Sequence, residues 1–261
     1  MKILVFVKQV PDTDDVKLDP KTGNLQREGV QSILNPLDAN AIECAVRLKE
    51  RCGGTITAIS MGPPQAESVL RKALALGCDE AYLLSDRAFG GADTLATAYT
   101  LSKAAEKVGG YDLLLFGRHA TDGDTAQTGP ATAAFLGIPQ ITLATSIDIQ
   151  DGWVICYRGL EDSCEKAAAK LPALVTVCDS INEPDYPTPK NIMKAFKKPL
   201  SVWNAADLGA DTERTGIPGS PSSTKKVFEP PKRSASTCFF DGSPKEIAVK
   251  FVDMLENEHV L

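Results

Sequence analysis

Short, almost unbroken apolar runs alternate along this chain with longer amphipathic stretches, and this alternation narrows the possible folds more than any other feature. The runs are Ile3–Val7, Thr55–Met61, Ala81–Leu84 and Leu113–Phe116. Between them lie three helical patterns. Asp38–Arg51 sets Ile42, Ala45, Val46 and Leu48 on one side with charges opposite, Gln65–Leu76 stops at Gly77, and Asp93–Val108 stops at Gly109-Gly110. A strand that is apolar at successive positions has to be covered on both faces. The β-α-β-α order therefore predicts an α/β fold: a doubly wound, mostly parallel sheet with helices on either side. Further strands are expected at Ile141–Ile149, Trp153–Arg158 and Ala173–Val177. An Asp151-Gly152 turn between the first two predicts an antiparallel hairpin added at one edge.

At 261 residues, such a chain buries a full core without disulfide or metal staples. Its seven cysteines are scattered with no C-x-x-C spacing, and its only histidines are His119 and His259. That pattern predicts reduced thiols and argues against a disulfide framework, a zinc site or a histidine-rich metal centre. Redox chemistry, if any, has to come from a bound cofactor. The formal net charge of −6 gives no footprint for nucleic acid. No apolar run approaches the roughly 18 residues of a membrane span, and Met1–Lys8 reads as a first strand, not a signal peptide. The expected location is cytoplasmic.

The segment Gly117–Pro130, GRHATDGDTAQTGP, carries the strongest functional signal. It leaves an apolar strand and opens the helical pattern at Ala131–Leu136, the place where α/β proteins hold phosphates. Thr125 and Thr128 offer hydroxyls, Gln127 an amide, and Gly123 and Gly129 room for close approach. The motif is neither a Walker loop nor G-x-G-x-x-G, and an ordinary strand-to-helix turn is the alternative. Ligands of open α/β sheets lie beyond the carboxyl ends of strands. Three more loops qualify: Val7–Asp12, Met61–Pro64 and Phe89–Thr94, together with the helix start at Asn35–Asp38.

After Asn182 the character changes. Glu183–Lys190, EPDYPTPK, is too rich in proline for helix or central strand. Local basic clusters fall at Lys190–Lys198 and Lys225–Arg233, and Gly209–Thr237 has few large apolar residues. Such a segment does not repay its ordering entropy alone. It leads into a terminal helix in which Ser243 caps, Pro244 takes the first position and Glu246 completes a capping box. An amphipathic helix on such a tether predicts an arm that packs on this domain or on another subunit.

Five stretches together resemble the beta subunit of electron transfer flavoprotein: VKQVPD (7–12), NPLDANAIECAVRLKE (35–50), ITAISMGPPQ (56–65), GRHATDGDTAQTG (117–129) and NEPDYPTPKNIMKA (182–195). The resemblance spans nearly the whole chain. It implies a nucleotide-binding α/β domain over 1–195, including a recognition-type loop at 182–195 that docks into a partner dehydrogenase. It also implies a C-terminal arm and helix over 196–261 packing on an alpha subunit. The family holds an adenine nucleotide in this subunit, AMP in ordinary members and FAD in electron-bifurcating ones. VPDT (10–13), DGDTAQTGP (122–130) and FGGADTLATA (89–98) resemble the bifurcating branch, in which that FAD accepts a hydride from NADH. One electron then passes to ferredoxin or flavodoxin, the other through the alpha-subunit FAD to a dehydrogenase of acyl-CoA or lactate type.

The residues this assigns to cofactor binding fall in three groups. Asp122, Gly123, Asp124, Thr125, Ala126, Gln127 and Thr128 cradle phosphates, with Arg118 as a charge partner and Lys8 neutralising nucleotide charge. Phe6, Val7, Asn35, Pro36, Leu37, Asp38, Met61 and Gly62 match positions lining the adenosine. Gly90, Asp93 and Thr94 form a glycine-rich helix start suited to NADH phosphates. His119 stands where a glutamine is expected. No catalytic acid, base or nucleophile is implied, because the cofactor carries the chemistry. Asp122 with Asp124 suggests a metal only weakly, since no third ligand accompanies them. Relatives carry an apolar leucine ahead of Asn191-Ile-Met, where this chain has Pro189-Lys190, so Ile192, Met193 and Phe196 are the candidate replacements. Two other readings stay open: a non-bifurcating carrier with structural AMP, and a stand-alone nucleotide-binding regulatory protein resembling universal stress proteins.

Overall fold

A computed structural model describes residues 1–12, 32–223 and 237–261. Thr13 of the VPDT motif and the basic cluster Lys225–Arg233 lie outside the described residues. The chain forms two compact units, Met1–Lys225 and Lys226–Leu261.

The first unit is built on one nine-stranded sheet. In chain order its elements are β1 (Lys2–Phe6), β2 (Gln9–Pro11), β3 (Ser32–Leu34), α1 (Pro36–Cys52), β4 (Thr55–Met61), α2 (Glu67–Leu76), β5 (Glu80–Leu84), α3 (Thr94–Val108), β6 (Leu113–Gly117), α4 (Thr128–Leu136), β7 (Gln140–Gln150), β8 (Trp153–Gly159), β9 (Cys164–Lys170), β10 (Ala173–Val177), α5 (Pro189–Ala195) and β11 (Leu200–Trp203). The strand order is β11-β5-β4-β1-β6-β10-β7-β8-β9, with β2 and β3 pairing separately. Every pairing from β11 to β7 is parallel, and only β7-β8 and β8-β9 are antiparallel.

Alternate strand residues sort the two faces. Ile3, Val5, Ile56 and Ala58 face α1 and α2 through Ile42, Leu48, Val69 and Leu70. Leu4, Phe6, Ile59 and Leu114 face α3 and α4 through Leu101, Ala104 and Ala133. This is the doubly wound arrangement that the apolar runs predict, since β6 and β10 are buried at every position. The Asp151-Gly152 turn forms as expected: both residues take positive φ, 49° and 79°, and Gln150 pairs with Trp153.

Beside the short pair β2 and β3, two strands of the main sheet were not legible. β9 reads CEKAAAK and is largely exposed, so it carries no apolar signal. β11 adds a parallel edge strand beside β5, and Ala205 and Leu208 reach the core next to α3. The first compact unit therefore runs to Lys225, beyond the boundary expected at residue 195. In the second unit α6 (Pro244–Asn257) has the capping box that its sequence predicts.

The chain winds from β1 outward to β5 on one side, then crosses through α3 to β6 on the other side of β1. The direction of winding reverses between β1 and β6. A crevice opens beyond the carboxyl ends of two strands at such a point.

Candidate functional site

Three segments converge on that crevice: Val7-Lys8 after β1, Asn35–Asp38 opening α1, and Gly117–Gln127 after β6. Asp38 ties them together. Its Oδ2 accepts from the Lys8 N–H at 2.8 Å and its Oδ1 from the Gly117 N–H at 3.2 Å. Burial pushes the Asp38 carboxyl up to about 7, against the opposing pull of hydrogen bonds from Asn35, Lys8 and Gly117 and of the Lys8 charge. Position 117 has to be glycine, because a Cβ there would lie 2.5 Å from Asp38 Oδ1 and 2.7 Å from the Leu37 carbonyl carbon.

Asn35 precedes α1 but does not cap it. Its side chain, fully buried, spans to the β6 loop instead: Nδ2 donates to the His119 carbonyl at 2.9 Å, and Oδ1 accepts from the Thr121 N–H at 3.2 Å. Lys8 Nζ donates to Asp122 Oδ1 at 2.6 Å, pairing a half-exposed cation with a nearly buried carboxylate. Asp122 therefore has a partner within the protein, and Asp124 faces His119. The base of the loop is fixed from two sides.

The tip of the loop is open. Gly123 and Asp124 N–H groups close a turn on the Ala120 carbonyl. Asp124 and Ala126 then take positive φ, 44° and 53°, a conformation that costs a non-glycine residue about 1 kcal/mol or more. Among the described residues, the N–H groups of Thr125, Ala126 and Gln127 have no hydrogen-bond partner. Gln127 stands at the cap position of α4 without capping it. Successive free N–H groups at an uncapped helix start make an anion-binding concavity. His119 Nδ1 is buried beside it, unpartnered among the described residues and 3.5 Å from Asp124 Oδ1 without bonding to it. These groups are chemically suited to an anionic ligand: three free N–H donors at a helix start and an orphaned imidazole nitrogen beside them.

The structure thus brings together Lys8, Asn35–Asp38 and Asp122–Thr128. Arg118 is exposed and lies against Cys178, whose thiol is raised by burial while the Arg118 charge opposes the shift. Phe6 is buried, stacked on Phe116 with centroids 4.3 Å apart, and Val7 is buried in the opposite layer. Met61 is half-buried at the end of β4, where Gly62 N–H bonds the Leu84 carbonyl. Pro36 is exposed and Leu37 half-buried.

Gly90, Asp93 and Thr94 stand apart, at the start of α3. Asp93 caps that helix through Leu95 and Ala96 N–H. Its other oxygen accepts from Ser222 N–H at 3.1 Å and Ser222 Oγ at 2.8 Å, and its own N–H donates to Ser220 Oγ at 2.8 Å. Burial alone would raise this carboxyl, but the bonds from Ala96, Ser222 and Leu95 hold it below the usual range. A Cβ at Gly91 would meet Ile217 at 2.7 Å, so residues 216–222 lie over this glycine-rich turn and its first donors are already taken.

Comparison with known proteins shows the family of the chain. The family model "Electron transfer flavoprotein domain" matches residues 22–208. Electron transfer flavoprotein subunit beta of Thermoanaerobacterium thermosaccharolyticum is 48% identical over 262 residues, covering all of both chains. The chain belongs to the electron transfer flavoprotein family, on the beta-subunit side. Subunit CarD of the caffeyl-CoA reductase-Etf complex of Acetobacterium woodii is 46% identical over the full length of both. The acryloyl-CoA reductase electron transfer subunit gamma of Anaerotignum propionicum is 39% identical, again over all of both chains.

Electron transfer is thus the role of the family, and one segment of this member exposes several large apolar side chains. Residues 182–196 leave β10, cross α1 and end in α5, where Thr188 caps and Pro189 takes the first position. Proline excludes helix only up to Thr188, so α5 starts within the stretch expected to be irregular. Tyr186 is 95% exposed, Met193 68% and Phe196 70%. The fastening of this segment to α1 was not anticipated. Asn40 Nδ2 donates to the Asn182 carbonyl at 2.8 Å and Oδ1 at 3.1 Å, and Asn182 Nδ2 returns a bond to the Asn40 carbonyl at 3.1 Å. The one signal in the sequence was an asparagine on the apolar side of α1, next to Ala41 and Cys44. No described helix is long and apolar enough to cross a membrane.

Proposed function

We propose that this chain is the nucleotide-holding beta subunit of a heterodimeric, electron-bifurcating electron transfer flavoprotein. The observation that carries the reading is the open run of N–H groups at Thr125–Gln127, above a base fixed by Asn35 and Asp38. Those groups hold the phosphates of an FAD, Lys8 and Arg118 offset charge around it, and His119 meets a polar edge of the ligand. When bound, a flavin would supply the redox chemistry, two-electron oxidation of NADH and one-electron delivery to ferredoxin or flavodoxin and to the alpha-subunit FAD. This chain's own groups bind, orient and exclude water, and no proton transfer is asked of them. Relatives named as parts of caffeyl-CoA and acryloyl-CoA reductase systems support a flavin dehydrogenase of acyl-CoA type as the final partner, with a lactate-type enzyme as the other candidate. That partner docks on the apolar residues Tyr186, Ile192, Met193 and Phe196. The helix α6, which has no buried residue of its own, packs on the alpha subunit.

The covered start of α3 favours a second reading. With the Asp93 carboxylate and Ser220 Oγ occupying the N–H donors that NADH phosphates would need, the subunit serves as a structural half holding AMP. Cofactor content separates the two. The heterodimer is denatured and its released FAD and AMP are counted. Two FAD and no AMP support bifurcation; one of each leaves a simple electron carrier and removes NADH from this subunit.

A further inference from the structure

Helix α1 is fastened at one end to the nucleotide loop and along its first three turns to the segment proposed to dock the partner. At the first end are the Asn35 side chain on His119 and Thr121, and the Asp38 carboxylate on Lys8 and Gly117. Asn40 follows, buried, with its reciprocal amide pair to Asn182 and a further bond to the Asp179 carbonyl at 3.3 Å. One turn on, Glu43 Oε2 accepts from Asp185 N–H at 3.5 Å, and Glu43 also orients Arg47, whose Nη2 donates to the Glu183 carbonyl at 3.4 Å. Asn35 and Asn40 are five residues apart, roughly 7.5 Å along a helix axis.

The far end of the docking segment is held independently of α1. Arg71 Nη1 donates to the Ala195 and Lys198 carbonyls at 3.2 and 3.3 Å, and Lys198 Nζ donates to Leu74 and Cys78 carbonyls on α2 and its end. Between the two fastenings the exposed apolar residues project. Of the two fastenings, the one at α1 is the one continuous with the loop after β6. The amide contact of buried Asn40 with half-buried Asn182 is sensitive to small displacements, since breaking it leaves the Asn40 amide desolvated and unpaired.

We propose that α1 couples the two sites: nucleotide held on the loop after β6 orders the docking segment 182–196 through Asn35, Asp38 and Asn40, with Asn40 as the positioning residue. The inference rests on the nucleotide reading of the loop. By reciprocity, a docked partner then tightens the nucleotide by the same factor.

The test is hydrogen–deuterium exchange of peptides within 182–196, in the full chain paired with its alpha subunit, freed of nucleotide and then given AMP. AMP retention is measured in parallel by ultrafiltration. The expected result is a several-fold slowing of exchange on AMP addition. Asn40→Ala keeps AMP but shows equally fast exchange with and without it. Asn182→Ala removes the two 3.1 Å side-chain bonds but keeps the Asn40 bond to the carbonyl of residue 182; it narrows the AMP-dependent difference without altering α1, and an undiminished difference overturns the proposal if Asn40→Ala fails to assemble. A merely structural contact raises exchange in both states and leaves the AMP-dependent difference intact, which overturns the proposal. So does a wild-type segment indifferent to AMP that is demonstrably bound. The same exchange experiment is run with FAD in place of AMP, and failure of the wild type to retain either nucleotide overturns the nucleotide reading itself, and this inference with it.

Discussion

Asp38 and Gly117 show how much of the site depends on single atoms. The two meet at the crevice because a backbone N–H must reach a buried carboxylate, and a methyl group at 117 would stand in its path. Gly117→Ala should therefore cost about 1–3 kcal/mol in denaturant unfolding and lower nucleotide retention with it. An unchanged midpoint would mean that α1 shifts freely. Asp38 also makes a prediction about pH. Its native pKa of about 7 exceeds the ordinary 3.8, so between those values the folded chain binds a proton that the unfolded chain has released. Stability from this group is complete below about pH 4 and is lost as pH rises through about 7, by on the order of 4 kcal/mol in the limit. Asp38→Asn should flatten that slope relative to wild type in urea titrations from pH 4 to 7.5; parallel slopes would show that the carboxyl ionises freely. At this scale the sequence was only half legible. Asn35 and Asp38 sit beside a recognisable helix start, whereas Asn40 finds Asn182 across 142 residues, and no local pattern reports such a pair.

Elements were legible where local chemistry and burial agree. β4 and β10 have the bounds that their apolar runs predict, and α3 starts after the Asp93 cap because that side chain satisfies two of its free N–H groups. β9 and β11 escaped because edge strands need not be apolar, and their positions are set by β8 and β5. α4 is the informative exception. Its start is where the sequence predicts a phosphate loop, and it is uncapped, as are α1 and α2, but only here do two residues just ahead of it take positive φ. Gln127 makes no cap bond, and Ala126 keeps a strained φ just ahead of it. A helix start left open at a strained loop is the signature of a bound anion, not of stability. Removing the hydroxyls beside those donors, with Thr125→Val and Thr128→Val together, should weaken nucleotide binding about 10-fold to 100-fold while the fold persists. Undiminished FAD or AMP content after gel filtration would leave the backbone alone as the holder.

At the scale of the whole molecule, the question is which part of the C-terminal third belongs to which surface. Low apolar content made everything after Gly209 look unable to order by itself, yet residues 204–222 are fastened to the β5–α3 layer. Ala205 N–H bonds Asp86, Asp211 N–H bonds the Tyr99 hydroxyl at 3.0 Å, and the Arg214 guanidinium stacks on the Tyr99 ring at 4.2 Å. These contacts are polar and long-range, so neither composition nor periodicity reveals them. The division that matters falls at Lys225, after which α6 stands with Val249, Phe251 and Val252 exposed. Deleting 226–261 should therefore leave the first unit folded, with a melting temperature within a few degrees of the full chain. Deletion from 209 should lower it further, because Tyr99 and Asp93 lose their partners. If the second unit packs on the alpha subunit, the 226–261 deletion raises the heterodimer Kd at least 10-fold, since an apolar helix face of this size supplies well over the 1.4 kcal/mol that such a change represents. An unchanged Kd, read by sedimentation or calorimetry, would assign that helix face to a different protein and leave the alpha subunit to be held by the first unit alone.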